Sequence, residues 1–581
     1  ETGPEADAAN ETLRIRVVQV AGDFVDHALE SEPDPFQLLS GSWQKPKSVW
    51  GLVGAIDHIA EDDQFDGLLL SLSRPQLRMH QSQAAEVERA LDRYRASGKP
   101  LIAWLRDAGP THFRLAASAD HLLLAEAAMI DLPSPVLSSL HLRRAMDLFG
   151  VEIDTVRAGR FKGAVEPFTR HELSDELRSH YQTVLRSLNE DSVARLAERR
   201  DVTVDTVRNW QAKRLFTADQ ALASGLVDDL VDGTNPRTAI AKHLEQAIEL
   251  VFPDQRERRI SSPFELFSIF FGGSGRQRSS GDAIAMLHLR GMIVNSDEQR
   301  SDQISDSPTI STIRHLADDD RIKAIVVRIA SGGGSASASE YIRQELAACA
   351  EQKPVLFSLG SAAASGGYWI TCLPETTVFA EAETITGSIG VFGLKISFAP
   401  LLARMGLHVD HVSLDPSATA LSLARRWTTE ERDSIQQLID TVYIDFLERV
   451  SQARGLERSA VEAIAQGAIW TGSQALSHGL VDRIGGMHQA VAAARAAASL
   501  DDNAPVEHYP EPINPFLQFL QSSVADENGD STFTSAAIWI RRLGGDPSQW
   551  LALLRQANRP APPTLWAWWP EQFLHGSSTW R

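Results

Sequence analysis

The sequence predicts an α/β fold made of two tandem copies of one domain. Segments with strand and helix patterns alternate along both halves of the chain, which is typical of a parallel sheet with helices packed on it. Three stretches of the first half recur in the same order in the second: residues 56–72 at 313–329, 150–156 at 406–412, and 217–228 at 471–482. A repeat of this length indicates a duplicated domain and not a short solenoid unit.

The individual elements follow from residue patterns. Alternating apolar and polar residues, or a continuous apolar run, predict strands at 13–20, 67–72 and 101–105. Helical periodicity predicts helices at 49–61 and 81–97, and long charged helices at about 174–200 and 428–455. The second copy repeats this order from residue 283 to residue 485.

These patterns divide the chain into four parts. We predict an N-terminal repeat at 1–250, a linker at 251–282, a C-terminal repeat at 283–500, and a tail rich in proline and tryptophan at 501–581. The linker contains a run of glycine, serine and arginine at 272–281, a composition typical of a flexible segment. Two aromatic stretches, 264–271 and 565–569, predict core or subunit contacts, or a membrane-facing rim.

Length and composition narrow the classes of function. A chain of 581 residues exceeds one hydrophobic core, and 43% hydrophobic residues are ordinary for globular protein. A net charge of −20 argues against nucleic acid as a partner, because phosphate binding needs a basic face. The two cysteines provide neither a disulfide framework nor a zinc-binding pattern. His408 and His411, on either side of Asp410, lie in a strand-like stretch without a third ligand, which favours a structural role over a metal site.

The chemistry is concentrated in two motifs, one in each copy. The first copy carries Lys162 within Arg-Phe-Lys-Gly-Ala-Val-Glu-Pro-Phe, and the second carries Ser365 within Ala-Ala-Ala-Ser-Gly-Gly-Tyr-Trp. A serine needs a base to become a nucleophile, and a neutral lysine can serve. At the position equivalent to Lys162 the second copy has Ala418, and the first copy has no serine motif. The sequence therefore predicts a dyad assembled from both copies.

The lysine can act as a base only if its pKa is lowered. A free lysine has a pKa of about 10.4, so about one in 2,500 is neutral at pH 7. The apolar neighbours of Lys162 favour burial, which lowers a lysine pKa, whereas a carboxylate at Glu166 would oppose the shift. The competing interpretation is an ordinary solvated lysine.

Two glycine-rich turns are candidates for the oxyanion hole of an acyl-transfer site. The backbone N–H of Gly366 follows the serine, and a second donor lies in Ser-Gly-Gly-Gly-Ser at 331–335, where a strand leads into a helix. Both segments are equally compatible with tight strand-to-helix turns that have no catalytic role.

Taken together, these motifs resemble those of the long, duplicated form of the signal peptide peptidase A family, the serine–lysine proteases also called protease IV. The resemblance covers about residues 14–500. It implies a ClpP/crotonase-like α/β superhelix in each copy, Lys162 as general base, Ser365 as nucleophile, and Ser388 as the residue that orients the lysine. It also implies Gly334 and Gly366 as oxyanion donors. Gly332 and Gly163 stand where the family more usually has proline and serine.

The resemblance further implies peptide substrates, namely cleaved signal peptides and unfolded hydrophobic segments. It implies a homotetramer on the periplasmic face of the inner membrane, held there by an N-terminal anchor, with no metal, nucleotide or other cofactor. Two alternatives remain: a crotonase-like acyl-CoA enzyme, which would not need Lys162 and Ser365 together, and a non-catalytic scaffold. Whether the dyad forms within one chain or between neighbours stays open.

Overall fold

The computed structural model describes residues 12–27, 47–253, 281–300, 302–510 and 566–568, and it confirms the α/β class. The strands of the first copy are β1 (Leu13–Gln19), β2 (Gly22–Val25), β3 (Lys47–Ser48), β4 (Gly67–Leu72), β5 (Leu77–Arg78), β6 (Leu101–Leu105), β7 (His121–Ala125), β8 (Met129–Asp131), β9 (Glu152–Ala158), β10 (Leu215–Thr217), β11 (Asp229–Val231) and β12 (Ile248–Val251). Its helices are α1 (Val49–Glu61), α2 (Gln81–Ala96), α3 (Pro110–Ala116), α4 (Arg143–Phe149), α5 (Glu166–Thr169), α6 (Asp175–Arg199), α7 (Val204–Lys213), α8 (Ala218–Ala223) and α9 (Arg237–His243).

The second copy repeats the alternation. Its strands, with two from the predicted tail, are β13 (Ala283–Arg290), β14 (Met292–Val294), β15 (Gln303–Ser305), β16 (Ile322–Ser331), β17 (Gly333–Ser335), β18 (Val355–Ala364), β19 (Thr377–Ala380), β20 (Ile385–Gly387), β21 (Val391–Ser397), β22 (Ile469–Thr471), β23 (Arg483–Ile484), β24 (Val506–Tyr509) and β25 (Trp566–Trp568). Its helices are α10 (Asp306–Asp318), α11 (Ala336–Ala350), α12 (Gly366–Ile370), α13 (Ala399–Arg404), α14 (Thr429–Arg454), α15 (Arg458–Ile464), α16 (Gly472–Ser477) and α17 (Met487–Ala497). The predicted linker and the 264–271 stretch lie almost entirely outside the described residues.

Local capping explains why the helices begin where the sequence predicts. The Ser48 side chain accepts a hydrogen bond from Gly51 N at the start of α1, and the residues of α1 that are buried recur with helical spacing. The two long helices α6 and α14 begin after Ser174 and Thr428, whose side chains cap them. Helix α14 ends at Gly455, which is in the left-handed conformation that glycine adopts without steric cost.

Each copy has its own parallel sheet. The first sheet has the order β11-β7-β6-β4-β1-β12 and is parallel throughout. The second has the order β22-β20-β18-β16-β13-β24, with β19 and β23 beside β18, and only the β20–β22 pair in it is antiparallel. A third sheet joins the copies, because β9 of the first pairs antiparallel with β21 of the second along its whole length. This pairing delivers the loop after β9 to the second copy.

A buried ion cluster also links the two copies. Arg328 on β16, which is 1% exposed, donates to Asp26 at 2.6 Å and to Glu86 on α2 at 2.9 Å. Burial alone would raise the pKa of Asp26, but the Arg328 guanidinium outweighs it and holds that pKa well below its usual range. A buried charge is retained where it is paired in this way.

The copies are not identical where the repeat predicted equivalence. Residues 150–156 lead into strand β9, but the matching stretch at 406–412, predicted as strand-like, is exposed and forms no strand. The physical reason is the missing partner: β9 pairs with β21, and no strand of the described residues pairs with 408–414, the equivalent of β9. His408 and His411 lie in this exposed segment.

Candidate active site

Ser365 occupies the sharp turn between β18 and α12. Its backbone has φ 55° and ψ −118°, a conformation that L-residues rarely adopt, and its N–H donates to Gly387 O at 2.8 Å. The three alanines before it are buried, and α12 begins at Gly366 as the sequence predicts. The turn therefore fixes the Ser365 hydroxyl at the end of a rigid strand.

Lys162 enters the site from the loop after β9. Its side chain is buried, with a residue exposure of 1%. The loop is held by the second copy, since Phe161 N donates to Gln466 O at 2.7 Å. A Cβ added to Gly467 would lie 2.5 Å from Lys162 N and 2.7 Å from Lys162 Cα, so only a glycine allows this close approach. The loop that carries Lys162 is thus packed against residues 466–467, which lie about 300 positions later in the chain.

The structure brings Lys162, Ser365 and Ser388 together within one chain. Lys162 Nζ lies 2.6 Å from Ser365 Oγ, 2.9 Å from Ser388 O and 3.0 Å from Ser388 Oγ. A neutral amine has two N–H donors and one lone pair. If both donors serve Ser388, the lone pair faces the hydroxyl of Ser365, which is the arrangement a general base requires.

Burial lowers the pKa of Lys162 well below its usual range. The carboxylate that could have opposed this shift is turned elsewhere: Glu166 accepts from Ser174 N at 2.9 Å and from Ser174 Oγ at 2.7 Å, at the start of α6. At pH 7, a larger fraction of Lys162 is therefore uncharged than of an ordinary solvated lysine.

Gly334 and Gly366 lie side by side next to the serine. A Cβ on Gly366 would be 2.5 Å from Ser339 Oγ and 3.2 Å from Gly334 N, and a Cβ on Gly334 would be 2.1 Å from Ile293 O. Neither position therefore has room for a side chain. Their adjacency suits two N–H donors aimed at one oxygen, and their role as oxyanion donors stays a prediction.

The two departures from the family motifs have local physical reasons. Beside Gly332, the Ser331 hydroxyl donates to Gly291 O at 2.6 Å and accepts from Gly333 N at 3.1 Å. These two hydrogen bonds restrain the turn, although it lacks the proline that would restrict its backbone. At Gly163, a Cβ would lie 2.3 Å from a methyl group of Leu177 on α6, so a serine would require that side chain to move.

A strand from the tail lies against the glycine turn. Residues 566–568 form β25, which pairs antiparallel with β17, with Ala567 opposite Gly334, and also pairs with β21 at Phe392. The backbone of β25 thus fills the slot between β17 and β21 beside Ser365. The rest of the 565–569 aromatic stretch lies outside the described residues.

The sequence did not indicate the residues that hold the backbones of Lys162, Ser365 and Ser388 in place. Gly467 faces the backbone of Lys162, Ala468 O accepts from Ser388 N at 2.7 Å, and Gly387 O accepts from Ser365 N. Ser388 itself has φ 50°, so both serines of the site are held in strained backbone. Nothing in the sequence around Gly467 distinguishes it from any turn glycine, because its partner is distant along the chain.

Comparisons with known proteins give consistent results. The model of peptidase family S49 matches residues 93–247 and again 347–501, which confirms the duplication. Protease 4 of Salmonella typhi is 31% identical over 467 residues, spanning 78% of this chain and 72% of that protein. A putative signal peptide peptidase SppA of Enterococcus faecium is 25% identical, over 48% of this chain and 85% of that one. Among solved structures, a ClpP1 mutant from Listeria monocytogenes aligns with a TM-score of 0.24 at 11% identity, over 36% of this chain and 94% of that chain.

Proposed function

Because this chain belongs to peptidase family S49 and is a serine protease, we propose that Ser365 is its nucleophile and Lys162 its general base. The observation that carries this assignment is the 2.6 Å separation of Lys162 Nζ and Ser365 Oγ in a buried site. An acyl-CoA enzyme or a non-catalytic scaffold is not favoured, since neither needs this pair.

The reaction follows from the geometry. Neutral Lys162 takes the proton of Ser365 Oγ, which attacks the peptide carbonyl, and the N–H groups of Gly334 and Gly366 bind the resulting oxyanion. The lysine ammonium, held by Ser388, then gives its proton to the leaving amine. Water attacks the acyl-enzyme with Lys162 again as base, releasing the second product and restoring the serine.

The test is labelling of Ser365 by an acylating serine probe in wild type and in Lys162→Ala. We expect strong labelling of the wild type and almost none of Lys162→Ala or Ser365→Ala, with all three proteins equally folded by circular dichroism. Equal labelling of Lys162→Ala would remove the lysine from its assigned role.

We propose that the substrate binds as an extended strand between β17 and β21. The backbone of β25 already makes these pairings, and main-chain hydrogen bonds suit unfolded segments of varied sequence. A chain truncated after residue 561 should then have a lower KM for short peptides, because β25 competes for the slot. A higher KM after truncation would contradict this binding mode.

We propose that the substrates are cleaved signal peptides and other unfolded hydrophobic segments. The support is the similarity to the Enterococcus relative, a putative signal peptide peptidase, together with a slot that pairs with the backbone of its occupant. Incubation with a synthetic signal peptide and with a folded globular protein should give cleavage of the first only. Equal cleavage of both would contradict the proposal.

We further propose a homotetramer built by repeating the β9–β21 pairing between chains. By the internal repeat, residues 408–414 correspond to β9 and residues 135–141 to β21, and both segments are unpaired in the described structure. Val412 and Leu414 are fully exposed, and Val136 and Leu140 are 66% and 63% exposed. If 408–414 of one chain pairs with 135–141 of the next, the contact is head-to-tail, and four chains related by a four-fold rotation form a closed ring.

Native mass spectrometry tests this arrangement. Val412→Asp should shift the assembly to monomers, whereas Leu222→Asp, at an exposed position outside both segments, should not. An assembly unchanged by Val412→Asp would contradict the proposed contact.

We propose that the enzyme acts at the periplasmic face of the inner membrane, where signal peptides are embedded. Among the described residues, none of the helices has the length and apolar character needed to span a bilayer. Co-sedimentation of the full chain with anionic and zwitterionic liposomes measures its surface affinity. Absence from both pellets would contradict membrane association of this chain.

A further inference from the structure

Three histidines from distant parts of the chain converge in the interior. His27 follows β2 of the first copy, His288 lies on β13 of the second copy, and His508, from the predicted tail, lies on β24, which pairs with β13. All three are buried, and one ring nitrogen of each lies within 4.8 Å of the other two. In the described part of the chain, this is the one group of three or more histidine, cysteine or acidic side chains so close together.

The rings are in direct contact. His288 Nε2 and His508 Nδ1 are 2.9 Å apart and share a hydrogen bond, and the His27 ring stacks on His508 with centroids 3.7 Å apart. Trp50 packs edge-on against His508 at 5.1 Å, which adds an apolar wall. None of the three histidines contributes to the serine site.

We propose that this histidine cluster binds one divalent transition-metal ion, with Zn²⁺ as the expected occupant. Imidazole nitrogen is a preferred ligand of zinc, and three histidines with one open position are a known zinc ligand set. Zinc–nitrogen bonds of about 2.0–2.1 Å in tetrahedral geometry place ligand nitrogens about 3.4 Å apart. The 2.9 Å pair therefore needs to open by only a few tenths of an ångström, with the His27 ring turning out of its stack.

The neighbouring carboxylate does not compete for the ion. Asp26, adjacent to His27, accepts from Arg328 through one oxygen at 2.6 Å and from Gln83 through the other at 2.7 Å. Three imidazoles thus provide the protein ligands, and a solvent molecule completes the shell. Because His27 comes from the first copy, whereas His288 and His508 lie on strands of the second sheet, the ion cross-links the two halves and stabilises the folded chain.

The experiment uses the full chain without a histidine tag, treated with EDTA and dialysed against buffered Zn²⁺, with bound metal measured by mass spectrometry. We expect one ion per chain and a rise in Tm on adding Zn²⁺. His508→Ala and His288→Ala should weaken binding by at least about 100-fold, since loss of even an outer partner of a ligand costs 10–100-fold.

The matched control is His121→Ala. His121 and His243 also stack at 3.7 Å, so this variant removes a stacked histidine without touching the cluster, and it should bind Zn²⁺ as wild type does. Acylating-probe labelling of Ser365 reports whether each variant is folded. If a variant does not fold, the wild type tests the proposal instead. Co²⁺ added to the wild type must then give the intense visible absorption bands of a tetrahedral site. Wild type with no bound Zn²⁺ and no such bands, or undiminished binding in a folded His508→Ala, would overturn the proposal.

Discussion

Replacing Gly467 by alanine should disable the dyad without touching any reacting atom. Gly467 has φ 77°, and the new Cβ would lie 2.5–2.8 Å from the backbone N, Cα and Cβ of Lys162. Carbon atoms prefer separations of about 3.5–4.0 Å, so one of the two segments must retreat by about 1 Å. The lysine amine, which lies 2.6–3.0 Å from its three oxygen partners, would leave hydrogen-bond reach of at least one.

The expected magnitude follows from that displacement. A misplacement of about 1 Å costs on the order of 100-fold in rate, which corresponds to about 2.7 kcal/mol of barrier. The left-handed backbone adds about 1–2 kcal/mol of strain to the folded state with alanine. We therefore expect kcat/KM on a fluorogenic peptide to fall about 100-fold, mostly in kcat, together with a lower free energy of unfolding.

Gly479→Ala separates displacement from strain. Gly479 has φ 70°, but a Cβ there would meet only Leu456 methyl carbons at 3.9 Å. This control should lose similar stability through strain while keeping kcat/KM within about twofold of wild type. If the two variants lose equal stability and Gly467→Ala also keeps its activity, the positioning role assigned to Gly467 is wrong.

Three further predictions concern the lysine, its partner and the link between the copies. Because burial depresses the folded pKa of Lys162, the unfolded chain binds more protons between that pKa and the ordinary lysine value, so the free energy of unfolding should rise with pH across that range. The value of kcat/KM should rise as the pH passes through the folded pKa and level off above it, because the neutral amine is the active form. Lys162→Met should flatten the stability rise in urea titrations, and an unchanged slope would refute the shift. Ser388→Ala removes one hydrogen bond but keeps the carbonyl, so we expect a loss of about 0.5–1.5 kcal/mol, or about 2–10-fold in kcat, and full activity would dismiss its orienting role. Arg328→Met removes the arginine that pairs with two buried carboxylates and should lower the free energy of unfolding by about 3–5 kcal/mol, which a change under about 1 kcal/mol would contradict.

The sequence was informative wherever short-range interactions decide the outcome. The bounds of α1, β4 and β6 agree with the predicted 49–61, 67–72 and 101–105, because periodicity, caps and apolar runs act within a few residues. The long helices α6 and α14 begin and end within a residue of the prediction for the same reason. The turn at Ser365 was also local, since small residues and two glycines permit its strained backbone.

The stretch at 406–412 shows where this reasoning fails. Its residues match those leading into β9, yet it forms no strand, because a strand needs a partner backbone and its partner is not supplied within the described chain. Patterning specifies that a segment can be a strand, whereas pairing decides whether it is one.

The sequence by itself determined the duplicated α/β architecture and the separation of lysine and serine motifs between the copies. Only the tertiary structure decided that Lys162 and Ser365 meet within one chain, that Gly467 braces the lysine, and that His27, His288 and His508 converge. Those contacts join residues more than 200 positions apart, so they depend on the β9–β21 pairing and the packing of the two sheets. No local pattern encodes such distances, because the energy that sets them comes from burial and pairing of the whole fold.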